Sequence, residues 1–109
     1  EAYSIADTTT LRQKLAEADL LVNATNVGMG NLQGQCLIPD ASYLHHGLFV
    51  ADIIYNPKKT ALLAMAEQAG LPTANGLGML LYQGAEAFRL WTGQDMPVDV
   101  VKRTAFPEL

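Results

Sequence analysis

The stretch Asn75-Gly76-Leu77-Gly78-Met79-Leu80-Leu81-Tyr82-Gln83-Gly84-Ala85-Glu86-Ala87-Phe88-Arg89-Leu90-Trp91-Thr92-Gly93 decides how the rest of the chain is interpreted. Asn and Gly open it, Gly closes it, and the residues between them carry few charges at a spacing that predicts one helix. A helical wheel places one line of residues toward solvent: Tyr82, Glu86, Arg89 and Gly93. It places a second line inward: Leu80, Gln83, Gly84, Ala87 and Trp91.

Gln83 is the polar misfit on that inward line. A buried amide without partners costs about 1–3 kcal/mol, so either the protein or a ligand must satisfy it. The small residue Gly84 beside it would let another molecule approach closely. Two interpretations therefore stay open at this point: a glutamine hydrogen-bonded to backbone or water, or a glutamine that contacts a ligand.

The segments that precede and follow this helix alternate between helical and strand patterns. The predicted elements before the long helix are a helix over about 9–18, a strand over 20–22, a helical turn capped by Asp40, a strand over 48–54, a second helix and a short strand over 71–74. The second helix is predicted to be capped by Asn56, with Pro57 at its first position, and to end at Ala69 before Gly70. After the long helix, a last helix is predicted over about 97–105, with Val98, Val101 and Leu109 inward. The residues Thr8, Thr9 and Thr10 are the candidate caps of the first helix. Continuous apolar runs predict that the first two strands are buried on both faces. The fold class is therefore α/β with a parallel sheet.

Three short strands make only about half of a doubly wound, Rossmann-like sheet. A complete dinucleotide-binding fold starts with a strand, a Gly-x-Gly-x-x-Gly turn and a helix. The two partial matches fail, because Gln33 follows Gly28-Met29-Gly30 and Leu81 follows Gly76-Leu77-Gly78 where the third glycine belongs. We therefore expect residues 1–109 to be the C-terminal part of a nucleotide-binding domain with C-terminal helices, without a Gly-rich phosphate loop.

Composition excludes several classes of partner. The chain is half hydrophobic with a net charge of −4, which argues against a nucleic-acid partner or an anionic membrane surface. No apolar run reaches the roughly 18 residues that a membrane span needs. The single cysteine, Cys36, indicates a reducing compartment, so we expect a cytoplasmic protein. No spacing supports Cys36 as a nucleophile with His45 or His46 as base, and no metal site is predicted.

Polar residues follow the first two predicted strands. Asn23, Thr25 and Asn26 come after the first, and Asn56 comes after the second. Ligands of open parallel sheets bind outside the carboxyl ends of the strands, so Asn23, Thr25 and Asn26 are candidate ligand contacts. Ordinary turn chemistry explains the same residue types equally well. Asp52, within the second strand, needs hydrogen-bond partners if it is buried.

Three motifs carry a family resemblance. The first is the Asn-Ala-Thr-Asn-Val-Gly-Met loop at 23–29, the second is Asp-Ile-Ile-Tyr-Asn-Pro-Lys-Lys-Thr at 52–60, and the third is the start of the long helix at 75–85. In this order and spacing they resemble the shikimate dehydrogenase family over essentially the whole chain. The ending Leu-Trp-Thr-Gly at 90–93, followed by Met-Pro at 96–97, is most similar to the quinate/shikimate dehydrogenase branch.

The resemblance implies an oxidoreductase that interconverts 3-dehydroshikimate and shikimate, or 3-dehydroquinate and quinate, with NAD or NADP. It implies that Tyr55 and Gln83 contact the substrate. It implies that six residues lie at the cofactor: Thr25, Asn26, Ile53, Ile54, Asn56 and Gly76. The family's catalytic Lys and Asp are expected upstream, in an N-terminal substrate domain, so none is assigned within the chain. The resemblance also places the Gly-rich phosphate loop upstream. Asn26 departs from the Lys that often occupies its position in the quinate/shikimate branch, which weakens the expected cofactor contact there.

Two alternatives remain at this level. One is a non-catalytic, self-associating α/β domain. A homodimer is compatible both with such a domain and with the oxidoreductase. The other is part of a different Rossmann-type reductase, such as a glutamyl-tRNA or methylene-tetrahydrofolate enzyme. The motifs leave open the choice of NAD or NADP and of shikimate or quinate. In every case we expect the 109 residues alone to lack turnover and tight cofactor binding.

Overall fold

A computed structural model describes residues 1–109. Its elements are α1 (Thr8–Glu17), β1 (Leu20–Asn23), β2 (Phe49–Asp52), α2 (Ala61–Gln68), β3 (Thr73–Ala74), α3 (Leu77–Thr92) and α4 (Val98–Ala105). Short 3₁₀ turns lie at Gly30–Leu32 and Ala41–Tyr43, and Asp40 caps the second as predicted. This alternation confirms the α/β class. No helix combines the length and the apolar character that crossing a membrane requires.

The three strands form one parallel sheet in the order β1-β2-β3. Asn23 pairs with Asp52 and Ala51 pairs with Ala74, so all three carboxyl ends meet at one edge of the sheet. The sheet is packed on one face only. Leu20 and Val22 of β1 are 55% and 47% exposed, and Phe49 of β2 is 38% exposed. The prediction that these two strands are buried on both faces is therefore wrong. No element of this chain covers the face of the sheet on which these side chains lie.

The core lies between the packed face of the sheet and the helices α1 and α2. Its central residues are fully buried, with Leu48, Val50 and Ala66 at 0% exposure. The cluster comprises Leu15, Ile38, Leu48, Val50, Leu62, Leu63, Ala66 and Leu71. Burying each leucine or valine contributes about 1.5–3 kcal/mol, so this cluster supplies most of the driving force that holds α2 against the sheet.

Two helices start at residues other than the predicted ones. Asp7 caps α1, because its carboxylate accepts from the backbone N–H of Thr10 at 3.0 Å and from the Thr10 hydroxyl at 2.7 Å. The threonines at 8–10 therefore lie inside the helix. Likewise α2 begins after Thr60, whose hydroxyl accepts from the N–H of Leu63 at 3.3 Å.

The segment between β2 and α2 is a turn and not the first turn of a helix. The prediction that Asn56 caps the helix with Pro57 at its first position is wrong, and the peptide bond between them is cis. The other end of α2 agrees with the prediction, since Ala69 is the C-terminal cap and Gly70 follows with φ +78°. A glycine adopts this left-handed conformation without a side-chain clash.

Helix α3 spans most of the long stretch, and Gly93 ends it with φ +71° while donating to the carbonyl of Arg89 at 2.8 Å. Its buried residues are Leu77 and Leu81. Gln83 and Trp91 are exposed, Trp91 by 83%, so the predicted inward line is wrong for both. The packed stripe starts at Leu77 instead of Leu80, which turns Gln83 away from this chain's core.

Helix α4 follows Pro97, its N-terminal cap, and lies against α3. Val98 and Val101 are half-buried, as the pattern predicts. Leu109 is 39% exposed, so its predicted inward position is wrong. Lys58 forms an ion pair with Glu108 at 2.6 Å, which ties the end of the chain to the turn before α2.

Candidate functional site

A cleft of about 610 Å³ opens at the carboxyl edge of the sheet. Two segments and one helix line it. The loop wall, after β1, comprises Ala24, Thr25, Asn26, Met29 and Gly30. The strand wall, after β2, comprises Ile53, Ile54, Tyr55 and Asn56, and Met79 of α3 closes the far side. The structure thus brings together six of the eight predicted site residues. The volume of the cleft lies within the range of small-molecule sites.

The loop wall is shaped largely by its own hydrogen bonds. The side-chain oxygen of Asn23 accepts from the hydroxyl of Thr25 at 2.7 Å and from its backbone N–H at 3.2 Å. The hydroxyl of Thr25 in turn accepts from the N–H of Val27 at 3.1 Å. Turn chemistry therefore accounts for Asn23 and for much of Thr25. Asn26 is exposed at the cleft, and its side chain makes no hydrogen bond within the chain.

The strand wall continues directly from β2. Ile53 donates its N–H to the carbonyl of Asn23 at 3.1 Å, so it extends the pairing with β1. Ile54 is 3% exposed and gives the wall its apolar floor. Tyr55 is 46% exposed, and neither its hydroxyl nor the side chain of Asn56 bonds within the chain. Both polar groups are therefore available to a ligand.

Buried Asp52 lies beneath the cleft with a full set of partners. Its carboxylate accepts from the amide of Asn23 at 3.2 Å, from the N–H of Ile54 at 3.0 Å and from the hydroxyl of Thr60 at 2.8 Å. The expectation that a buried Asp52 needs hydrogen-bond partners is confirmed. No buried side-chain polar atom of the chain lacks a partner.

Gly76 lies beside the cleft and does not line it. Its N–H donates to the carbonyl of Ile54 at 2.8 Å. A Cβ at this position would lie 1.9 Å from the carbonyl oxygen of Ile53, a distance that no pair of atoms tolerates. Only glycine lets α3 start this close to the strand wall. That approach places Met79, one turn later, at the cleft.

Gln83 lies outside the cleft lining. It is exposed, and its amide nitrogen donates to the carbonyl of Leu80 at 2.9 Å. Gln83 is the fourth residue after Met79, so both residues lie on the same face of α3. The cleft residues that the sequence analysis did not single out include Met29 and Met79; both lie inside the quoted motifs, and Met79 could have been found from its spacing to Gln83.

The cleft carries no carboxylate, no imidazole and no cationic side chain. Its lining is uncharged, with aliphatic, thioether, hydroxyl and amide groups. The structure also holds no group of three or more His, Cys, Asp or Glu side chains that could bind a metal ion. The lining of the cleft therefore consists of groups suited to binding a ligand.

Cys36 takes no part in this site. It lies in a separate apolar cavity of about 230 Å³, and burial raises the pKa of its thiol above the ordinary value of 9.0. His45 does not serve as its base, because the histidine ring contacts the carbonyl of Ala18 at 2.7 Å and the N–H of Gly47 at 3.1 Å. The geometry provides no activated nucleophile.

The parallel sheet, the cleft at its carboxyl edge and the close glycine turn define a class: Rossmann-like α/β proteins that bind a ligand at the ends of their strands. Comparison with known proteins is more specific. Residues 76–106 match the model of the shikimate 5'-dehydrogenase C-terminal domain. The shikimate dehydrogenase (NADP(+)) of Alkaliphilus metalliredigens is 53% identical over 93 residues, which are 85% of this chain and 32% of the relative.

A quinate/shikimate dehydrogenase of Shigella flexneri is 50% identical over 99 residues, 91% of this chain and 40% of that protein. Among solved structures, the shikimate 5-dehydrogenase of Listeria monocytogenes, in complex with shikimate and NAD, has a TM-score of 0.90 at 46% identity. That match covers 97% of this chain and 37% of the other. The resemblance to the shikimate dehydrogenase family is confirmed, and the chain corresponds to the C-terminal portion of the family's proteins. It spans about a third of the length of the relatives it matches.

Proposed function

We propose that the chain forms the cofactor side of an NAD(P)-dependent shikimate or quinate dehydrogenase. The observation that carries the proposal is the cleft itself. Residues from two of the motifs that resemble the family, at 23–29 and 52–60, form its two walls, and the third motif supplies Met79. The proposed activity is the reversible conversion of 3-dehydroshikimate to shikimate, a step in the formation of aromatic amino acids.

The cleft fits the nicotinamide half of the cofactor. Ile53, Ile54 and Met79 offer an apolar surface for an aromatic ring, and the exposed side chains of Asn26 and Asn56 offer amide groups for a carboxamide and a ribose. The uncharged lining suits these neutral groups better than a phosphate. When bound, the nicotinamide supplies the hydride chemistry. Gly76 lies behind the strand wall, and because it has no Cβ, α3 can start close to that wall.

The substrate side of the proposal rests on two polar residues. Tyr55 projects from the strand wall with an unpaired hydroxyl, and Gln83 lies one turn beyond Met79 on the same helix face. Together they offer one hydroxyl and one amide, which can donate to and accept from the hydroxyls of a ring acid. A site built for hydroxyls rejects analogues that lack them. The Gln83 amide would leave the carbonyl of Leu80 to make this contact.

The groups that transfer the substrate proton lie outside these 109 residues in this proposal. We assign residues 1–109 to the C-terminal part of the nucleotide-binding domain with its C-terminal helices, and we place the catalytic Lys and Asp and the Gly-rich phosphate loop upstream. The lack of any carboxylate, imidazole or amine in the cleft supports that division. A cytoplasmic location is proposed from the single cysteine, and a homodimer stays a prediction.

Steady-state kinetics of the full-length enzyme test the proposal. Shikimate and quinate are each assayed with NAD⁺ and with NADP⁺, and the reduced nicotinamide is followed by its absorbance. We expect turnover with at least one pair. Lack of turnover in all four combinations would contradict the proposed function, and turnover by the isolated residues 1–109 would contradict the placement of the catalytic groups.

A further inference from the structure

Three buried polar side chains lie together directly beneath the cleft. Asn23 ends β1, Asp52 ends β2, and Thr60 caps α2, with exposed fractions of 8%, 3% and 2%. They come from three different segments that meet only in the folded protein. None of them lines the cleft, so none contacts a ligand there. They are the chain's only buried polar or charged side chains.

Asp52 is the shared acceptor of this group. Its oxygen Oδ1 accepts from the N–H of Ile54 at 3.0 Å, and Oδ2 accepts from the hydroxyl of Thr60 at 2.8 Å. The amide of Asn23 donates to both oxygens at 3.2 Å. A buried donor that loses its acceptor costs about 1–3 kcal/mol, so each of these donors is held to the carboxyl group of Asp52.

The contacts of Asn23 extend the group to the loop wall. Its amide nitrogen also donates to the carbonyl of Val27 at 3.0 Å, and its oxygen accepts twice from Thr25. The bond from Ile54 to Asp52 belongs to the strand wall. One carboxylate is therefore linked, through two short paths, to both walls of the cleft.

We infer that Asp52 is a positioning residue that sets the separation of the loop wall and the strand wall, with Asn23 and Thr60 as its links to the loop and to α2. This inference rests on the proposed function, because the walls are what receives the nicotinamide. Asp52 acts only through the residues it holds. Loss of one acceptor shifts one wall relative to the other without removing any group that touches the ligand.

The test uses the full-length enzyme and two ligands. NAD(P)⁺ fills the cleft, whereas ADP-ribose, or its 2′-phosphate for an NADP enzyme, lacks the nicotinamide. Asp52→Asn keeps the shape of the side chain and replaces one acceptor by a donor. We expect it to weaken NAD(P)⁺ binding at least about fivefold, while ADP-ribose binding changes less than about twofold.

A second pair of variants keeps the test valid if Asp52→Asn fails to fold. Thr60→Val removes the hydroxyl at nearly constant volume, and Thr60→Ser retains it. We expect Thr60→Val to reproduce the selective loss of NAD(P)⁺ affinity and Thr60→Ser to restore it. The matched control is Ala66→Gly, fully buried in the same helix, which should lower the melting temperature and leave both affinities within about twofold.

The outcomes separate the two proposals. If the wild-type enzyme binds neither ligand, the proposed function fails. If it binds both, and Asp52→Asn or Thr60→Val loses both affinities together in line with melting temperature, Asp52 is structural only. Unchanged NAD(P)⁺ affinity in the folded variants likewise overturns the positioning role.

Discussion

Gly76→Ala tests how α3 is held against the strand wall. The added methyl group would lie 1.9 Å from the carbonyl oxygen of Ile53 and 2.4 Å from its carbonyl carbon. Both are backbone atoms, so no side chain can rotate to relieve the clash. The two segments must part by about 1.5 Å, the difference between 1.9 Å and an ordinary contact of 3.4 Å.

That separation also breaks the bond from the N–H of Gly76 to the carbonyl of Ile54, now 2.8 Å long. Overpacking costs about 1–3 kcal/mol, and a lost backbone hydrogen bond costs about 0.5–1.5 kcal/mol. We therefore expect the free energy of unfolding to fall by about 2–4 kcal/mol. At about 2–4 °C per kcal/mol, the melting temperature falls by roughly 4–16 °C.

Calorimetry and steady-state kinetics of the full-length enzyme measure both effects. A displacement of about 1 Å near reacting groups can cost about 10²-fold, so we expect kcat/KM to fall at least about tenfold. Gly78→Ala is the control, because a Cβ there meets nothing within 4 Å. It should keep wild-type kinetics and gain up to about 1 kcal/mol of stability. Equal behaviour of the two variants would refute the reasoning.

Three further predictions address single residues. Gln83→Ala in the full-length enzyme should raise the KM for the ring acid more than the KM for the cofactor, and an unchanged substrate KM would contradict its assignment. Hydrogen bonds from Thr10 hold the pKa of Asp7 below its ordinary value of 3.8. The stabilisation by Asp7 is therefore present above that value and is lost as pH falls through the lowered pKa. The melting-temperature gap between wild type and Asp7→Ala should then be largest near neutral pH and narrow toward about pH 2, whereas a constant gap would exclude a charged cap. Because burial raises the pKa of Cys36 above 9.0, iodoacetamide should alkylate the native protein more slowly than a free cysteine derivative at the same pH, and equal rates would contradict that burial.

Local signals predicted the elements that depend on neighbouring residues. Gly93 ends α3 and Gly70 follows α2 where expected, because each adopts a left-handed conformation that other residues disfavour. Asp40 caps its short turn for a similarly local reason. The alternation of these elements was sufficient to predict a parallel sheet.

Tertiary contacts decided the features that were predicted wrongly. Thr60, and not Asn56, starts α2, because Asp52 of the neighbouring strand fixes the Thr60 hydroxyl at the helix end. A pattern along the chain cannot show that contact. Trp91 and Val22 are apolar and exposed, because an apolar pattern along the chain does not show which residues the fold packs against others.

The sequence predicted where the candidate site lies, but it did not predict the contacts that hold the walls of the cleft in place. Tyr55 and Asn26 line the cleft that the strand order predicts. Position 76 must be glycine because a Cβ there would lie 1.9 Å from the carbonyl oxygen of Ile53. A turn pattern in the sequence does not show this packing contact. The shared acceptor role of Asp52 is equally invisible before folding, because its partners lie 29 and 8 residues away along the chain.

A crystal structure of the full-length enzyme with NAD(P)⁺ and shikimate tests the central claim most directly. The claim is that this chain's cleft receives the nicotinamide beside the ring acid. We expect the nicotinamide ring within about 4 Å of Ile53 or Ile54 and the ring acid in hydrogen-bond contact with Tyr55 and Gln83. A nicotinamide bound outside the walls at 24–30 and 53–56, or a ring acid that touches neither residue, would contradict it.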